Sequence, residues 1–185
     1  MKLICIPFQS HHFYLKPDTA ILRDGQTFYA PEPCRRVEGA MALVAKINRL
    51  GKHISPKFAH RYYLETALGF CLYMANVLEQ NRLDGAPWGN ACSFDHSAPL
   101  APVFRPVENV PVIGSANMWK SVMQKWSTTL EENPIEVAIS SISQYIYLKM
   151  GDLIWIELHP PIPLSSGEEV KVFRNDILEL RFSVR

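Results

Sequence analysis

The fold class of this chain depends on whether residues 37–48 (VEGAMALVAKIN) form a strand or a helix. Alanine-rich runs suit both structures, so periodicity alone leaves the choice open. We predict a strand, in which alternate residues point to opposite faces of a sheet. One face of that strand would carry Glu38, Ala40, Ala42 and Val44.

Segments that resemble strands outnumber those that resemble helices. Helix signals occur at Ser55-Pro56, which we predict to start a helix ending near Leu68, and over residues 134–148, where apolar residues follow helical spacing. Because no strand-helix-strand unit repeats, we predict one α+β domain, mainly β, over residues 1–185. The predicted strands cover residues 1–6, 27–30, 70–78, 153–158, 169–174 and 177–184, with a tight turn at Asn175-Asp176.

The composition argues against two classes of partner. The formal net charge is only +1, whereas proteins that bind nucleic acid usually carry a concentrated basic face. No apolar run approaches the roughly 20 residues that span a bilayer. We therefore expect neither a nucleic acid nor a membrane as partner.

The cysteines and the first residues predict a cytoplasmic location. The first residues resemble a strand rather than a signal peptide. The cysteines are widely spaced, without a CxxC pair, which favours reduced and partly buried thiols over a disulfide framework. They are Cys5, Cys34, Cys71 and Cys92.

Several segments match, in order along the chain, the pattern of one enzyme family. They are MKLICI, FYLKPDTAIL, KINRLGKHISPKFAHRYYLETALGF, PWGNACSFDHSAPL, and LKMGDLIWI followed by SGEEVKVF. Together they resemble the bacterial fumarylacetoacetate hydrolase (2-hydroxyhepta-2,4-diene-1,7-dioate isomerase) family. The resemblance implies the mixed β-roll of that family's C-terminal domain and metal-dependent hydrolase or isomerase chemistry.

The same resemblance implies a divalent cation, usually Mg²⁺ or Mn²⁺, held by a Glu-x-Glu pair and an Asp. Those positions fall here on Ala40, Ala42 and Cys71, and the family lysine falls on Cys92. The family's base-bearing loop after the first strand is missing, and its late Gly-Thr-Pro tract is replaced by residues 157–161. A methyl group cannot coordinate Mg²⁺ and a thiol is a poor, soft ligand for it. We therefore expect no cofactor and no catalytic residue.

The function expected from these losses is that of an inactive family homologue, retained as a binding or regulatory module. Its partners would be a small organic acid or an active paralogue. We also expect a homodimer, as is common in the family, because Trp119 and Trp126 would give the chain apolar surface to cover. The alternative is an active hydrolase or isomerase of 2-oxo or acylpyruvate-type acids with a rearranged site.

Four polar residues are candidates for lining a pocket, and for each of them a purely structural role is the alternative. Glu38 is either a displaced ligand or an ion-paired residue at a strand end, and Asp95 is more typical of a scaffold residue that bonds backbone amides. His96 could pair with Cys92 as a thiolate and imidazole if the segment were helical. His159, beside two prolines, is expected to present an exposed imidazole on a rigid loop.

Overall fold

Strands dominate the structure, a computed structural model that describes residues 1–107, 112–120, 124–131 and 133–185. Within these ranges the α-helices are α1 (Pro56–Ala59), α2 (Ala75–Leu83), α3 (Gly89–Cys92) and α4 (Asn133–Tyr145). The strands are β1 (Leu3–Ile6), β2 (Tyr14–Lys16), β3 (Ile21–Arg23), β4 (Thr27–Phe28), β5 (Val37–Ile47), β6 (Tyr63–Met74), β7 (Ala98–Leu100), β8 (Arg105–Pro106), β9 (Val112–Lys120), β10 (Gln124–Glu131), β11 (Leu153–Glu157), β12 (Ile162–Leu164), β13 (Glu169–Arg174) and β14 (Ile177–Val184).

The strands form two mixed sheets, which confirms the mainly β α+β fold. The first sheet has the order β2-β1-β11-β5-β6-β7-β3, with β12 beside β5 and β8 beside β6. The second has the order β10-β9-β13-β14-β4. The sheets pack together where the ring of Phe70 on β6 meets that of Phe182 on β14, with centroids 5.3 Å apart.

The pair β5 and β6 forms the centre of the first sheet. The prediction of a strand over residues 37–48 is confirmed, because β5 runs through this segment and pairs antiparallel with β6 along most of its length. Ala40 lies directly opposite Cys71, and Ala42 lies opposite Gly69. The sequence positions aligned with the family's metal ligands are therefore neighbours in space.

The helix predicted from Ser55 to Leu68 is wrong over most of its length. After α1 and a 3-10 turn at His60–Tyr62, the chain enters β6. The predicted strand over residues 70–78 correspondingly starts too late and ends too late, since α2 begins at Ala75. Pairing with β5 and burial on both faces decide the structure here, and they override local helix propensity.

Other sequence predictions are confirmed. Helix α4 buries apolar side chains at the expected helical spacing. The Asn175-Asp176 turn joins β13 to β14, and its two residues have φ values of 48° and 63°. That geometry belongs to the two-residue hairpin turn that usually contains glycine, and asparagine and aspartate tolerate it best among the other residues. The segment therefore turns tightly without a glycine.

Gly69 provides a test of the central packing. A Cβ added there would lie 2.2 Å from the Trp155 ring, which is fully buried on β11. We expect Gly69→Ala to lower the free energy of unfolding by about 1–3 kcal/mol, because the ring has no space into which to move. Denaturant unfolding measures the loss. Gly89→Ala is the control, since a Cβ at Gly89 would meet nothing within 4 Å; an equal loss in both variants would contradict this account.

Candidate functional site

One face of the first sheet collects most of the chemically interesting side chains. Residues that stand opposite each other on neighbouring strands point to the same face of a sheet. Cys5 stands opposite Trp155, Glu157 opposite Ala42, Cys71 opposite Ala40, and Tyr73 opposite Glu38. A cleft of about 570 Å³ opens over this face. Its walls include Phe8, Tyr14, Tyr73, Arg82, Trp88 and Glu157.

The three positions aligned with the family's metal ligands do not fit a hard divalent cation. Ala40, Ala42 and Cys71 are all fully buried. A hydrogen bond with the Cys5 thiol, together with burial, raises the pKa of Cys71 well above its usual value, so the sulfur stays protonated at neutral pH. Among the described residues, no three His, Cys, Asp or Glu side chains are grouped so that they could hold a metal ion. We therefore derive no chemical step through an ion at this position.

Glu157 supplies a carboxyl group beside these positions, since it stands opposite Ala42. Its two oxygens accept hydrogen bonds from the Tyr73 hydroxyl and from the Phe8 amide, the latter at 3.1 Å. Burial raises the pKa of Glu157 above its usual value, although the hydrogen bond from Tyr73 acts in the opposite direction. The carboxyl thus joins β11, β6 and the loop after β1. One sequence feature pointed to Glu157, because it begins the segment that the resemblance sets against the family's Gly-Thr-Pro tract.

Lys16 is a buried cation that the sequence reasoning missed. Its Nζ donates to the Leu72 carbonyl at 3.2 Å and to the carbonyl and hydroxyl oxygens of Ser97, both at 2.9 Å. The same atom lies 5.7–5.8 Å from the ring centroids of Tyr14, Tyr73 and Phe94. The FYLKPDTAIL segment pointed to the family resemblance but not to this role. Lys16 holds β2, β6 and the start of β7 together behind the cleft.

Cys92, at the family's lysine position, lies in the cleft wall but is not activated. The side chain is buried, which raises its pKa to about 12. A thiol with so high a pKa carries almost no thiolate at neutral pH and is a poor nucleophile. His96 lies beyond the end of α3 in a left-handed conformation, with φ of 61°, and is exposed. The helical thiolate and imidazole pair considered from the sequence therefore does not form.

The four pocket candidates occupy different environments. Glu38 lines the cleft and pairs with Arg36 at 3.3 Å. Asp95 and His96 lie on the exposed loop after α3, outside the cleft walls, where Asp95 accepts a hydrogen bond of 2.6 Å from the Thr19 hydroxyl. Of Glu38, Asp95 and His96, only Glu38 lines the cleft.

His159 is buried, so the prediction of an exposed imidazole is wrong. Its Nε2 accepts a hydrogen bond from the Met41 amide at 3.0 Å, and its Nδ1 lies 2.7 Å from the Pro160 carbonyl. These partners fix a neutral ring that donates from Nδ1. Burial lowers the pKa of His159 below its usual value. Where β11 ends, the His159 ring takes the place of a neighbouring strand by accepting a hydrogen bond from the backbone of β5. This bond explains why the ring is buried.

His159 should make stability depend on pH. A lowered pKa means that the folded state binds fewer protons than the unfolded state, so stability is present above pH 6.5 and is lost as pH falls through the lowered pKa. We expect His159→Asn to cost about 1–3 kcal/mol at pH 7.5 and less at pH 5. Unfolding of both proteins across this range measures the difference. If the free energy of unfolding changed with pH in the same way in both proteins, His159 would not be the group responsible, since the two proteins share all other titrating groups.

Comparison with known proteins places this fold and site. The fumarylacetoacetate (FAA) hydrolase C-terminal family matches residues 5–185. The chain belongs to this family. It is 28% identical to the mitochondrial oxaloacetate tautomerase of Mus musculus over 177 residues, which cover 93% of this chain and 80% of the relative.

Solved structures share the whole fold. A fumarylpyruvate hydrolase from Pseudomonas aeruginosa, in complex with Mn²⁺ and pyruvate, superposes with a TM-score of 0.85 and 19% identity, over 100% of this chain and 89% of the other. A 2-hydroxyhepta-2,4-diene-1,7-dioate isomerase from Mycobacterium marinum superposes with a TM-score of 0.81 and 22% identity, over 99% and 73%. At this level of identity the two superpositions establish the β-roll fold.

The first of these structures corrects the expectation of no cofactor. The Pseudomonas aeruginosa protein shares the fold and was solved with Mn²⁺. The expectation was wrong because it inferred the absence of any cofactor from three replaced positions alone. A divalent ion therefore belongs among the ligands to be tested with this chain.

The described helices carry no candidate membrane span. None of them combines the length and the apolar character that crossing a bilayer requires.

Proposed function

We propose that this family member does not catalyse the reactions of its active relatives and uses its cleft to bind a small organic acid. The observation that carries the proposal is the buried part of the sheet face that bears Glu157 and Tyr73. Two methyl groups and a protonated thiol stand where the resemblance places the family's metal ligands, and the carboxyl of Glu157 already accepts hydrogen bonds from Tyr73 and Phe8.

Arg82 is the group best placed to receive an acid. It lies in the cleft wall near the end of α2, is exposed, and forms no ion pair with any residue that the structure describes. Its positive charge acts on the Cys92 thiol across the cleft and lowers the pKa of that thiol against the effect of burial. A guanidinium offers paired N–H donors that match a carboxylate, so an acid would bind here with defined orientation.

Activity assays test the first half of the proposal. With oxaloacetate and with an acylpyruvate as substrates, we expect turnover no faster than in buffer, both without added metal and with Mn²⁺. Turnover that depends on Mn²⁺ would overturn the proposal and favour an active hydrolase or isomerase with a rearranged site. Metal binding is measured separately by calorimetry, because a bound ion without turnover is compatible with the proposal.

Calorimetry with pyruvate and oxaloacetate tests the second half. We expect Arg82→Ala to weaken binding of both acids by about tenfold or more, because a charge-assisted hydrogen bond contributes about 1.5–3 kcal/mol. Arg35→Ala is the matched control, since Arg35 is exposed and lies outside the cleft walls. Equal affinities of the native protein and the Arg82 variant would contradict the role of Arg82.

Assembly and location complete the proposal. The exposed Trp119 on β9 supports a homodimer, which light scattering at tens of micromolar would detect as a doubled mass. The side chain of Trp126 lies outside the described residues. The described cysteines are all free, which supports a reducing compartment such as the cytoplasm. The curated relatives named above are mitochondrial, so localisation of the tagged protein in cells is the deciding measurement.

A further inference from the structure

Four aromatic side chains line the cleft. Tyr14 and Tyr73 are buried and Phe8 is half-buried, whereas Trp88 is 41% exposed. The ring of Trp88 meets that of Tyr14 edge-on, with centroids 5.7 Å apart and planes at 74°, so the two ring faces are not stacked on each other. The indole therefore keeps open surface for a molecule in the cleft, whose volume of about 570 Å³ is typical of small-molecule sites.

The two tyrosine hydroxyls of the cleft already use their protons. The Tyr14 hydroxyl donates to that of Tyr73 at 2.9 Å, and the Tyr73 hydroxyl donates to Glu157. Each hydroxyl has one proton, so neither has another to donate to a carboxylate in the cleft. The two tyrosines therefore offer a ligand mainly their rings, and Arg82 supplies the positive charge of the same cleft wall.

Two acidic side chains of the cleft limit the charge that a ligand can carry. Glu38 and Glu157 both line the cleft. Glu38 pairs with Arg36 at 3.3 Å, and Glu157 accepts hydrogen bonds from Tyr73 and Phe8. A ligand with a second carboxylate would place it among these acidic groups, and like charges in one site repel each other. The cleft therefore favours an acid with a single carboxylate and an uncharged remainder.

We infer that the cleft binds an aromatic monocarboxylic acid, with its carboxylate at Arg82 and its ring in contact with Trp88. The inference rests on the proposed function, and it adds the class of acid. Contacts between aromatic rings contribute to binding beyond the apolar area that they bury. An acid with an aromatic ring gains this contribution at the exposed indole, whereas an acid without one leaves the indole in contact with water or with a group that packs less favourably.

Two pairs of acids, titrated by calorimetry, test the inference. The first pair is phenylpyruvate and pyruvate, and we expect phenylpyruvate to bind at least about tenfold more tightly because its ring buries apolar surface in the cleft. The second pair is benzoate and cyclohexanecarboxylate, which are similar in size but differ in aromatic character. We expect benzoate to bind at least about threefold more tightly, since only its ring can make aromatic contacts.

Variants of Trp88 test where the ring binds. Trp88→Leu keeps an apolar side chain but removes the indole, so we expect it to lose the preference for benzoate over cyclohexanecarboxylate. Trp88→Phe keeps an aromatic ring and should retain most of that preference. Trp119→Leu is the matched control, because Trp119 is 48% exposed on β9 and does not line the cleft. It should bind benzoate as the native protein does.

The outcomes distinguish this inference from the proposed function. If the acids bind but the aromatic member of each pair binds no more tightly, the inference fails and the proposed function stands. If benzoate is favoured equally in the native protein and in Trp88→Leu, the ring lies elsewhere and the inference also fails. If none of the four acids binds, the proposed function itself is wrong. Loss of the preference in Trp88→Leu, with its retention in Trp88→Phe and Trp119→Leu, supports the inference.

Discussion

The variant Ala40→Glu, Ala42→Glu and Cys71→Asp is expected to bind Mn²⁺ at least roughly 100-fold more tightly than the native chain. Ala40 and Cys71 stand directly opposite each other, and Ala42 follows on the same strand face. Opposite residues of an antiparallel pair have Cβ atoms about 5 Å apart, so three carboxylates from these positions can reach one ion. Ligand charge sets the affinity of oxygen sites for divalent cations over several orders of magnitude.

The melting temperature of the variant, with and without Mn²⁺, measures this binding. Three carboxylates in a fully buried position repel one another, so the melting temperature of the metal-free variant should fall below that of the native protein. Adding Mn²⁺ should raise the melting temperature of the variant again, in proportion to the logarithm of the Mn²⁺ concentration. If the variant does not fold alone, it is refolded in the presence of Mn²⁺. The variant Ala40→Gln, Ala42→Gln and Cys71→Asn adds similar volume without charge, and equal Mn²⁺ stabilisation of both would contradict the account.

Turnover is not expected to return with the ion. Cys92 stands where the resemblance places the family's lysine, and burial raises its pKa to about 12. By the same resemblance, we expect the loop from Ile6 to Phe13 to lack the family's base-bearing insertion. General acid and base groups typically contribute about 10²–10⁴-fold to a rate, so an ion without them should leave the acylpyruvate assay near background. Binding and catalysis can therefore be tested apart.

The parts of the fold that the sequence predicted are those that local patterns determine. Helix α4 has its apolar stripe, and the Asn175-Asp176 turn lies between two short strands. Strand β5 is buried along both faces, and its periodicity alone did not distinguish a strand from a helix. Strand β6 was not predicted over its first half, because its residues carry helix signals. Only pairing with β5 residues that lie 16 to 25 positions away in the sequence makes them extended. Strands β9 and β10 lie in a segment for which the sequence offered no regular pattern.

Only part of the candidate site could be approached from the sequence. The resemblance pointed to Ala40, Ala42 and Cys71, and the register of β5 and β6 makes these residues neighbours in the sheet. The roles of Lys16 and Arg82 depend on where backbone carbonyls and cleft walls lie in space, which no spacing along the chain reveals. The same holds for His159, whose partner amide belongs to β5.

Lys16→Met is expected to lower the free energy of unfolding by about 3–5 kcal/mol. The hydrogen-bond partners of Lys16 are neutral oxygens, and each buried acceptor left without its donor costs about 1–3 kcal/mol. Here the Leu72 carbonyl and both oxygens of Ser97 would lose their donor in a dry environment. Methionine has nearly the volume of lysine, so the loss cannot come from a cavity. Denaturant unfolding at neutral pH measures it.

Two further variants decide whether those three hydrogen bonds are the cause. Lys149→Met, at an exposed position, should change stability by no more than about 0.5 kcal/mol. Ser97→Ala removes one acceptor of Lys16 and also the hydrogen bond of 2.6 Å that the Ser97 hydroxyl donates to the Phe94 carbonyl. If Lys16 acts through its acceptors, Lys16→Met combined with Ser97→Ala should cost at least about 0.5 kcal/mol less than the sum of the single losses. Additive losses would instead mean that the bond to the Ser97 hydroxyl contributes little, and that Lys16 stabilises the protein through the two carbonyls and the three aromatic rings.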